Sequence, residues 1–403
     1  MTSVRTERVL VLGGGYAGMI AALRVAGHAR RRATVTLVDP KATFVQRLRL
    51  HQVALGQSIA APSYKSLLRD KVNFVQDAGE AIDTEQGVVE LASGAKPLPF
   101  DRLIYTVGGG IDLSIVPGVS EHAHSLTDIA GALRLHQALR GAPGGAPVAV
   151  VGAGMTGVET ATEIATGYPE LSVKLIASGE VGDWLGERAR QYLRGVLVCQ
   201  GVELIEHSRV QAVEPDRIVM ADGSDLLSRL VVWCGGFRAS DLACRSGLET
   251  DSLGRVIADR TLRSVCHPNI VAAGDCVATP PFISGAPLKM CCQAAMPAAA
   301  HAGDTVVAQI KGRDLKELHF GYLLQAISLG RRNALIQFVD HGDHPKNLII
   351  TGRRAAICKE LITRSTILTM SGERLLPGSM KWPFSEPKAP LLSESEAMVN
   401  AQL

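Results

Sequence analysis

The sequence has little of several features that mark particular protein classes. Aromatic residues make up only 4% of the 403 residues, which leaves few stacking surfaces for single-stranded nucleic acid. The formal net charge is only +3, so nothing indicates a nucleic-acid partner. No apolar run approaches the roughly 18 residues of a membrane-spanning helix, and the first residues lack the pattern of a signal peptide. We therefore expect a cytoplasmic protein without a transmembrane segment.

Residues 1–198 contain no cysteine. The eight cysteines lie between positions 199 and 358, and none belongs to a CxxC pair or to a zinc-type pattern with histidine. We predict reduced thiols and no metal site. An apolar fraction of 46% and a charged fraction of 20% are typical of a globular chain, and the length indicates two or three domains.

Two segments share the clearest pattern in the sequence. Each has an apolar run, a Gly-x-Gly-x-x-Gly motif, an alanine-rich stretch with helical periodicity and a second apolar run. The motif glycines are Gly13, Gly15 and Gly18 in the first segment and Gly152, Gly154 and Gly157 in the second. A strand, glycine turn, helix and strand within about 30 residues predict a dinucleotide-binding βαβ unit. We therefore predict an α/β fold with two Rossmann-like domains.

Each position of such a unit has a distinct expected role. The first glycine permits a tight turn, the second lets the backbone approach a pyrophosphate, and the third lets helix and strand pack closely. Asp39 ends the second strand of the first unit, where a carboxylate can bind a ribose diol. In the second unit Ala177 takes the matching position. Two alternatives therefore remain for the nucleotide. Glu180 can bind the ribose of NADH, or Ser178 and Arg188 can bind the 2′-phosphate of NADPH.

Two further apolar runs end at glycine-containing turns. One ends at Thr106-Val107-Gly108, and the other ends at Gly274-Asp275, whose carboxylate can bind a ribityl chain or organise phosphates. Two nucleotide sites in one chain indicate a bound flavin and a nicotinamide that delivers hydride to it.

The order of the motifs GGGYAG, TVGG, GAGMTGVE, WCGG and AAGD resembles the two-dinucleotide-fold FAD/NAD(P)H pyridine nucleotide oxidoreductase superfamily. Within it, GGGYAG, GAGMTGVETATE and SLGRRNALIQF are most similar to the type II NADH:quinone oxidoreductase group. The superfamily resemblance covers about residues 7–300. It implies non-covalent FAD, with NADH or NADPH as co-substrate.

The resemblance also implies site residues. The FAD contacts it implies are Gly13, Gly15, Tyr16, Ala17, Gly18, Asp39, Arg47, Thr106, Val107, Gly108, Gly274, Asp275, Cys292 and Gln293. The NAD(P)H contacts it implies are Gly152, Gly154, Thr156, Gly157, Glu180, Gly235 and Gly236.

Glu159 and Gln293 are the expected catalytic residues. Glu159 matches a glutamate near the flavin–nicotinamide contact, where it can orient the carboxamide or relay a proton; the alternative is a helix acid paired with Lys or Arg. Gln293 matches the first glutamine of a family signature, whereas Pro297 replaces the second. This departure weakens the expectation of a quinone site.

Two local features have alternative interpretations. The vicinal Cys291-Cys292 is either buried packing or a redox pair, although the disulfide typical of related reductases needs cysteines that this chain lacks. Arg47, Arg49 and His51 alternate in one segment and bind either an anionic acceptor or the FAD pyrophosphate, or form a solvated loop.

The carboxyl-terminal third has a helical pattern over 355–370 that is short and rich in Thr and Ser. It is expected to pack on the body of the protein or to form a homodimer face. We expect at most a peripheral contact with the inner face of a membrane. The proline-containing tail from Leu375 on is predicted to have little regular structure.

These patterns predict four segments. Residues 1–118 and 240–318 form an FAD-binding domain, residues 119–239 an inserted NAD(P)H-binding domain, and residues 319–403 a small α+β extension. Hydride is expected to pass from nicotinamide to flavin, and two electrons then to a quinone-like or other small acceptor. The alternatives are a flavoenzyme acting on a secondary metabolite, a reductase of an iron–sulfur protein and a non-enzymatic flavin redox sensor.

Overall fold

The computed structural model describes residues 5–68, 70, 72–281 and 285–382. The predicted irregular tail lies, from residue 383 on, outside the described residues. The strands are β1 (Glu7–Leu12), β2 (Ala33–Val38), β3 (Val72–Val75), β4 (Gly79–Asp83), β5 (Val88–Leu91), β6 (Leu98–Pro99), β7 (Arg102–Tyr105), β8 (Gly109–Ile111), β9 (Ala123–Ser125), β10 (Pro147–Val151), β11 (Ser172–Ile176), β12 (Glu203–Ile205), β13 (Val210–Val213), β14 (Arg217–Met220), β15 (Asp225–Leu227), β16 (Leu230–Trp233), β17 (Phe237–Ala239), β18 (Val256–Ile257), β19 (Ile270–Ala272), β20 (Val277–Ala278), β21 (Leu324–Ser328), β22 (Ala334–Val339) and β23 (Pro345–Thr351). The helices are α1 (Tyr16–Ala29), α2 (Leu50–Ala54), α3 (Tyr64–Leu67), α4 (Val119–His122), α5 (Ile129–Gly141), α6 (Met155–Gly167), α7 (Glu187–Cys199), α8 (Leu242–Arg245), α9 (Cys292–Ile310) and α10 (Gly352–Leu375).

The first sheet has the strand order β19-β7-β1-β2-β3, and its strands are parallel. In β1 the residues from Val9 to Leu12 are all buried. Such a continuous apolar run suits a parallel strand, because both of its faces are covered. Helix α1 follows β1 directly and packs against α9.

The second sheet repeats this arrangement with the order β12-β11-β10-β16-β9, again in parallel. Helix α6 follows β10 as α1 follows β1. The chain leaves the first sheet after β7 and returns to it with β19, so the second sheet forms from residues between them. The predicted fold class, with one Rossmann-like unit inserted in another, is confirmed. We keep the boundaries near residues 118, 239 and 318 as a proposal.

The carboxyl-terminal part is an antiparallel sheet, β21-β22-β23, followed by α10. This helix packs against β22 and α1. Arg24 of α1 is 5% exposed, and its Nε lies 2.7 Å from an oxygen of the fully buried Glu373 on α10. Because an unpaired buried charge is costly, this ion pair holds α10 against the helix of the first glycine motif.

Two small antiparallel sheets lie beside the parallel ones. The sheet β13-β14-β15 includes a hairpin that turns at Asp222-Gly223. The sheet β4-β5-β6 was not predicted from the sequence. Within the described ranges, no helix combines the length and the hydropathy that crossing a bilayer requires.

Candidate active site

A cavity of about 470 Å³ opens where the first sheet ends, beyond the carboxyl ends of β1, β7 and β19. We call it the central cavity. Its wall includes the glycine turn after β1, the Thr106–Gly109 turn after β7 and the Ala273–Asp275 turn after β19. Thr156 and Glu159 of α6 in the second unit complete it. Ligands of parallel α/β sheets bind at such strand ends, so both dinucleotide units contribute to one site.

The three glycines of the first motif have different surroundings. Gly13 has a φ of +99°, and a Cβ on it would lie 2.4 Å from the carbonyl oxygen of Thr106. A Cβ on Gly18 would lie 1.8 Å from the carbonyl oxygen of Gly13. A Cβ on Gly15 would meet nothing within 4 Å, so this part of the backbone is open to a ligand.

The second motif has the same geometry. Gly152 has a φ of +102°, and a Cβ on Gly157 would lie 1.7 Å from the carbonyl oxygen of Gly152. A Cβ on Gly154 would again meet nothing within 4 Å. Each motif therefore leaves one open backbone position at the start of its helix, where unpaired amides attract phosphate.

Asp39 is buried at the end of β2 and lines the central cavity. Its Oδ2 accepts a hydrogen bond from the backbone amide of Gly14 at 2.7 Å, and its Oδ1 accepts one from the backbone amide of Lys41 at 2.9 Å. The Tyr64 hydroxyl donates to the carbonyl oxygen of Gly14. Burial and the neighbouring Asp39 raise the pKa of Tyr64, so its hydroxyl stays protonated. These contacts fix the carboxylate next to the open glycine turn.

Asp275 has a buried carboxyl oxygen that lacks a hydrogen-bond partner among the described residues. Its Oδ1 is buried and accepts no hydrogen bond from any described residue. Burial raises the pKa of this carboxyl group, and Arg47 opposes the shift. The Arg47 guanidinium donates to the carbonyl oxygen of Gly109 at 2.7 Å and lies 5.9 Å from the ring centre of Phe237. A buried polar atom without a partner is costly, so a hydroxyl-bearing ligand here would satisfy Asp275.

Glu159 is 9% exposed and has a lysine partner. Its Oε1 lies 2.9 Å from Nζ of Lys359 on α10 and accepts a hydrogen bond from the amide of Ser328 at 2.9 Å. Burial opposes ionisation, but Lys359, His51 and the Ser328 amide together lower the pKa of Glu159. The glutamate therefore faces the central cavity as a carboxylate held by an ion pair.

Cys291 caps α9 and Cys292 is its first residue, and both line the central cavity. All eight cysteines are free. Burial raises the pKa of Cys291 to about 11 and raises that of Cys292 further. Both are protonated thiols at neutral pH, which makes them weak nucleophiles.

The structure brings together many of the expected site residues. Those lining the central cavity are Gly13, Gly15, Tyr16, Ala17, Asp39, Arg47, Thr106, Val107, Gly108, Thr156, Glu159, Gly274, Asp275 and Cys292. Gly18 lies beneath the first turn, and Gly152, Gly154, Gly157, Gly235 and Gly236 form the turns of the second unit. Gln293 is partly buried in the first turn of α9 and is not among the residues that line the central cavity.

Glu180 lies beyond β11 and is about half exposed. Its Oε2 accepts a hydrogen bond from Arg190 of α7 at 2.7 Å, and the same arginine bonds Glu187. An acid that can bind a ribose diol therefore sits beside a cation that can bind a 2′-phosphate.

Sequence patterns missed Lys359 and Ser328 as contacts of Glu159. Neither lies near it in the sequence, so no local signal could have found them. His51 was singled out, but its approach to Glu159 was not expected. Its Nδ1 lies 3.8 Å from Oε2 of Glu159.

Comparisons with known proteins identify relatives of this chain. The sequence profile described as Pyridine nucleotide-disulphide oxidoreductase matches residues 7–303. An NADH dehydrogenase-like protein of Mycobacterium tuberculosis is 32% identical over 357 residues, which cover 81% of this chain and 87% of that protein. A type II NADH:quinone oxidoreductase of Staphylococcus aureus is 25% identical over 397 residues, covering 91% and 96%. The structure of NDH2 from Plasmodium falciparum in complex with NADH has a TM-score of 0.76 at 14% identity, covering 93% of this chain and 99% of that one.

Proposed function

Since the chain belongs to the pyridine nucleotide-disulphide oxidoreductase family, we propose that it passes electrons from NADH or NADPH through FAD to a small quinone-like acceptor. The chain is an NAD(P)H-dependent flavin oxidoreductase. The identity of the acceptor and the roles of individual residues are the proposed part. The observation that best supports the proposed cofactor-binding roles is the unsatisfied Oδ1 of Asp275 in a cavity built from both dinucleotide units.

The residues of the first unit fit FAD. When bound, this group accepts a hydride from nicotinamide and releases two electrons to an acceptor. Gly15 and the amino terminus of α1 bind the pyrophosphate, because the backbone is open there and the helix dipole is positive. Asp39 accepts hydrogen bonds from the ribose, and Asp275 accepts one from a ligand hydroxyl.

The residues of the second unit position the nicotinamide nucleotide. Gly154 leaves the backbone open at the start of α6, where the phosphates bind. Glu159 lies one turn further along α6 and faces the central cavity, where it orients the carboxamide or holds a proton. Holding both reactants in one geometry can contribute about 7–11 kcal/mol to catalysis.

Two kinds of small molecule are candidates for the electron acceptor. A quinone is supported by the similarity to quinone oxidoreductases. A different small metabolite is the second candidate, because Pro297 replaces a signature glutamine and Gln293 is not among the residues that line the central cavity.

The exposed face of α10 supports a peripheral contact. Ile357, Leu361 and Leu368 are each more than 60% exposed along one side of this helix. A membrane surface and a second copy of the chain remain the two proposed partners for it.

Steady-state turnover tests the proposal. Purified protein that carries FAD is mixed with NADH or NADPH and with a short-chain ubiquinone, a ferredoxin or ferricyanide in turn. Rapid NAD(P)H consumption with ubiquinone supports the quinone acceptor. Consumption with ferricyanide alone leaves the flavin chemistry in place and favours another metabolite. Consumption with none of them contradicts the proposal.

A further inference from the structure

Three consecutive residues with sulfur-containing side chains lie at the start of α9. Met290, Cys291 and Cys292 all line the central cavity. Both cysteines are free thiols, and each keeps part of its surface exposed. They are the only two cysteines that are adjacent in the sequence. Hydride transfer between nicotinamide and flavin needs neither thiol, so the pair calls for a separate explanation.

The backbone holds the two cysteines in a fixed arrangement. Cys291 caps α9 with an extended backbone, at φ −153° and ψ 155°, and Cys292 is the first helical residue. The carbonyl oxygen of Cys291 accepts hydrogen bonds from the amides of Ala294 and Ala295 at 3.2 and 2.9 Å. The amide of Cys291 donates to the carbonyl oxygen of Lys289 at 2.9 Å. A pair that is already ordered loses little conformational freedom when it binds a ligand.

The protonation of the two thiols keeps them reduced. Burial is the main cause that raises the pKa of Cys291 to about 11 and that of Cys292 further. The neighbouring thiol of Cys291 adds to the rise at Cys292. Thiol–disulfide exchange and oxidation proceed through the thiolate, so a protonated pair is protected from both. An ion that bonds to sulfur instead displaces the protons as it binds.

Two adjacent thiols suit an ion that forms two bonds to sulfur. Soft ions prefer thiolate and thioether donors to oxygen and nitrogen. Trivalent arsenic, as in phenylarsine oxide, is a simple case. Two S–H bonds break, two As–S bonds form, and the arsenic-bound oxygen leaves as water with both protons. No electrons are transferred, so the step needs neither an oxidant nor a reductant.

We propose that Cys291 and Cys292 form a chelating site for thiophilic ions of the trivalent-arsenic class in the wall of the central cavity. An ion bound there occupies the cavity that the proposed function assigns to FAD, so each of the two hinders the binding of the other. This competition rests on the proposed FAD site, whereas the chelation itself does not.

Phenylarsine oxide tests the chelation. Protein loaded with FAD and protein freed of FAD are each incubated with it, and an excess of glutathione is then added. Intact mass spectrometry counts the arsenical that each chain retains. A bond to a single thiol exchanges with glutathione, whereas a chelate keeps a second sulfur beside the arsenic and is strengthened roughly 10²–10⁴-fold. The flavin-free wild type is expected to retain one arsenical per chain.

Cys291→Ala and Cys292→Ala each leave a single thiol at the site. Both variants are expected to retain the arsenical about 10²-fold less tightly than the wild type. Cys244→Ala is the matched control, because Cys244 is an exposed free thiol on α8 and is not among the residues that line the central cavity. The control is expected to retain one arsenical. Thermal unfolding without arsenical reports whether each variant is folded.

FAD provides a second readout. At an FAD concentration of about ten times its Kd, capture of phenylarsine oxide by the wild type is expected to slow about tenfold, because only the flavin-free fraction reacts. Protein that already carries the arsenical is expected to take up less FAD, which absorbance of the bound flavin after gel filtration measures.

Several results would overturn the proposal. Removal of the arsenical from the wild type by glutathione, or its retention by either folded single variant, shows that the two thiols do not chelate. Loss of retention in the Cys244 variant places the site elsewhere. Capture that bound FAD does not slow contradicts the competition. A protein that binds no FAD contradicts the proposed function, but retention by its wild type and loss in the two variants still establish the dithiol site.

Discussion

Lys359 of the carboxyl-terminal helix places its ammonium group 2.9 Å from the carboxylate of Glu159, on the helix of the second glycine motif. Both side chains are mostly buried, with 19% and 11% of their surface exposed. The contact joins the carboxyl-terminal part of the chain to the wall of the central cavity. Removal of α10 would therefore disturb the site as well as the stability of the protein.

Lys359→Met is expected to destabilise the protein by about 3–5 kcal/mol, because it leaves a buried carboxylate without its cation. Urea unfolding at neutral pH measures the change. The double variant Lys359→Met with Glu159→Gln is expected to recover most of the lost free energy, since the unpaired charge is then gone. A double variant no more stable than the single one would show that the ion pair is not the cause.

The same pair has a pH signature. The pKa of Glu159 lies below its ordinary value in the folded protein. Its contribution to stability is therefore present above the pKa of the unfolded chain and is lost as the pH falls through the folded pKa. In Lys359→Met, burial acts without the lysine and raises the pKa of Glu159. The variant's loss of stability relative to the wild type is then expected to be largest near neutral pH and to shrink as the pH falls and Glu159 is protonated, which urea unfolding followed by circular dichroism at several pH values measures.

Asp275→Asn is expected to weaken FAD binding. The carboxylate oxygen without a partner is the strongest acceptor that the site offers to a ligand hydroxyl. A hydrogen bond to a charged group contributes about 1.5–3 kcal/mol, so the Kd for FAD should rise roughly 10- to 100-fold. Titration of the flavin-free protein with FAD measures it. An unchanged Kd would place the ligand elsewhere in the cavity.

Gly154→Ala and Gly157→Ala form a pair with opposite expectations. Gly154 has an ordinary φ of −69° and free space for a Cβ, whereas a Cβ on Gly157 would lie 1.7 Å from a backbone oxygen. The first variant should keep its Tm and flavin but show a KM for NADH or NADPH raised by about tenfold or more, because the methyl group stands where phosphate approaches. The second should lose stability. Equal Tm values for the two variants would contradict this assignment.

Much of the fold follows from local sequence patterns. Each glycine motif fixes a turn, an open backbone and a close contact within a few residues, and the neighbouring apolar runs fix two parallel strands. This is why both Rossmann-like units could be predicted. Helix α10 could be predicted because its apolar residues recur at helical spacing. The sheet β4-β5-β6 was not anticipated, because its strands are short and alternate weakly.

Less of the candidate site than of the fold could be predicted from the sequence. Asp39 and Asp275 end strands, so topology alone places them at one edge of a sheet. The convergence of His51, Glu159 and Lys359 depends on how three separate segments pack, which no spacing in the sequence records. The alternative of a Lys or Arg partner for Glu159 anticipated the chemistry of its ion pair but not which lysine provides it.

We propose that nucleotide preference depends on Glu180 and Arg190, which are hydrogen-bonded to each other. Glu180→Ala should raise the KM for NADH, and it frees Arg190 for the 2′-phosphate of NADPH. The ratio of kcat/KM for NADH over that for NADPH is expected to fall by about tenfold, equivalent to about 1.4 kcal/mol. Glu187→Gln is the control, because Glu187 also bonds Arg190 but lies in α7. A fall of similar size in the control would show that Glu180 has no special role.

The most direct test of the account is a double-mixing stopped-flow experiment without oxygen. The wild-type protein is mixed with NADH or NADPH, and the loss of oxidised-flavin absorbance is recorded. Ubiquinone is then added in the second mix. The account predicts rapid loss with at least one nucleotide, followed by rapid return with ubiquinone. Protein that carries no flavin, or flavin that neither nucleotide reduces, would contradict it.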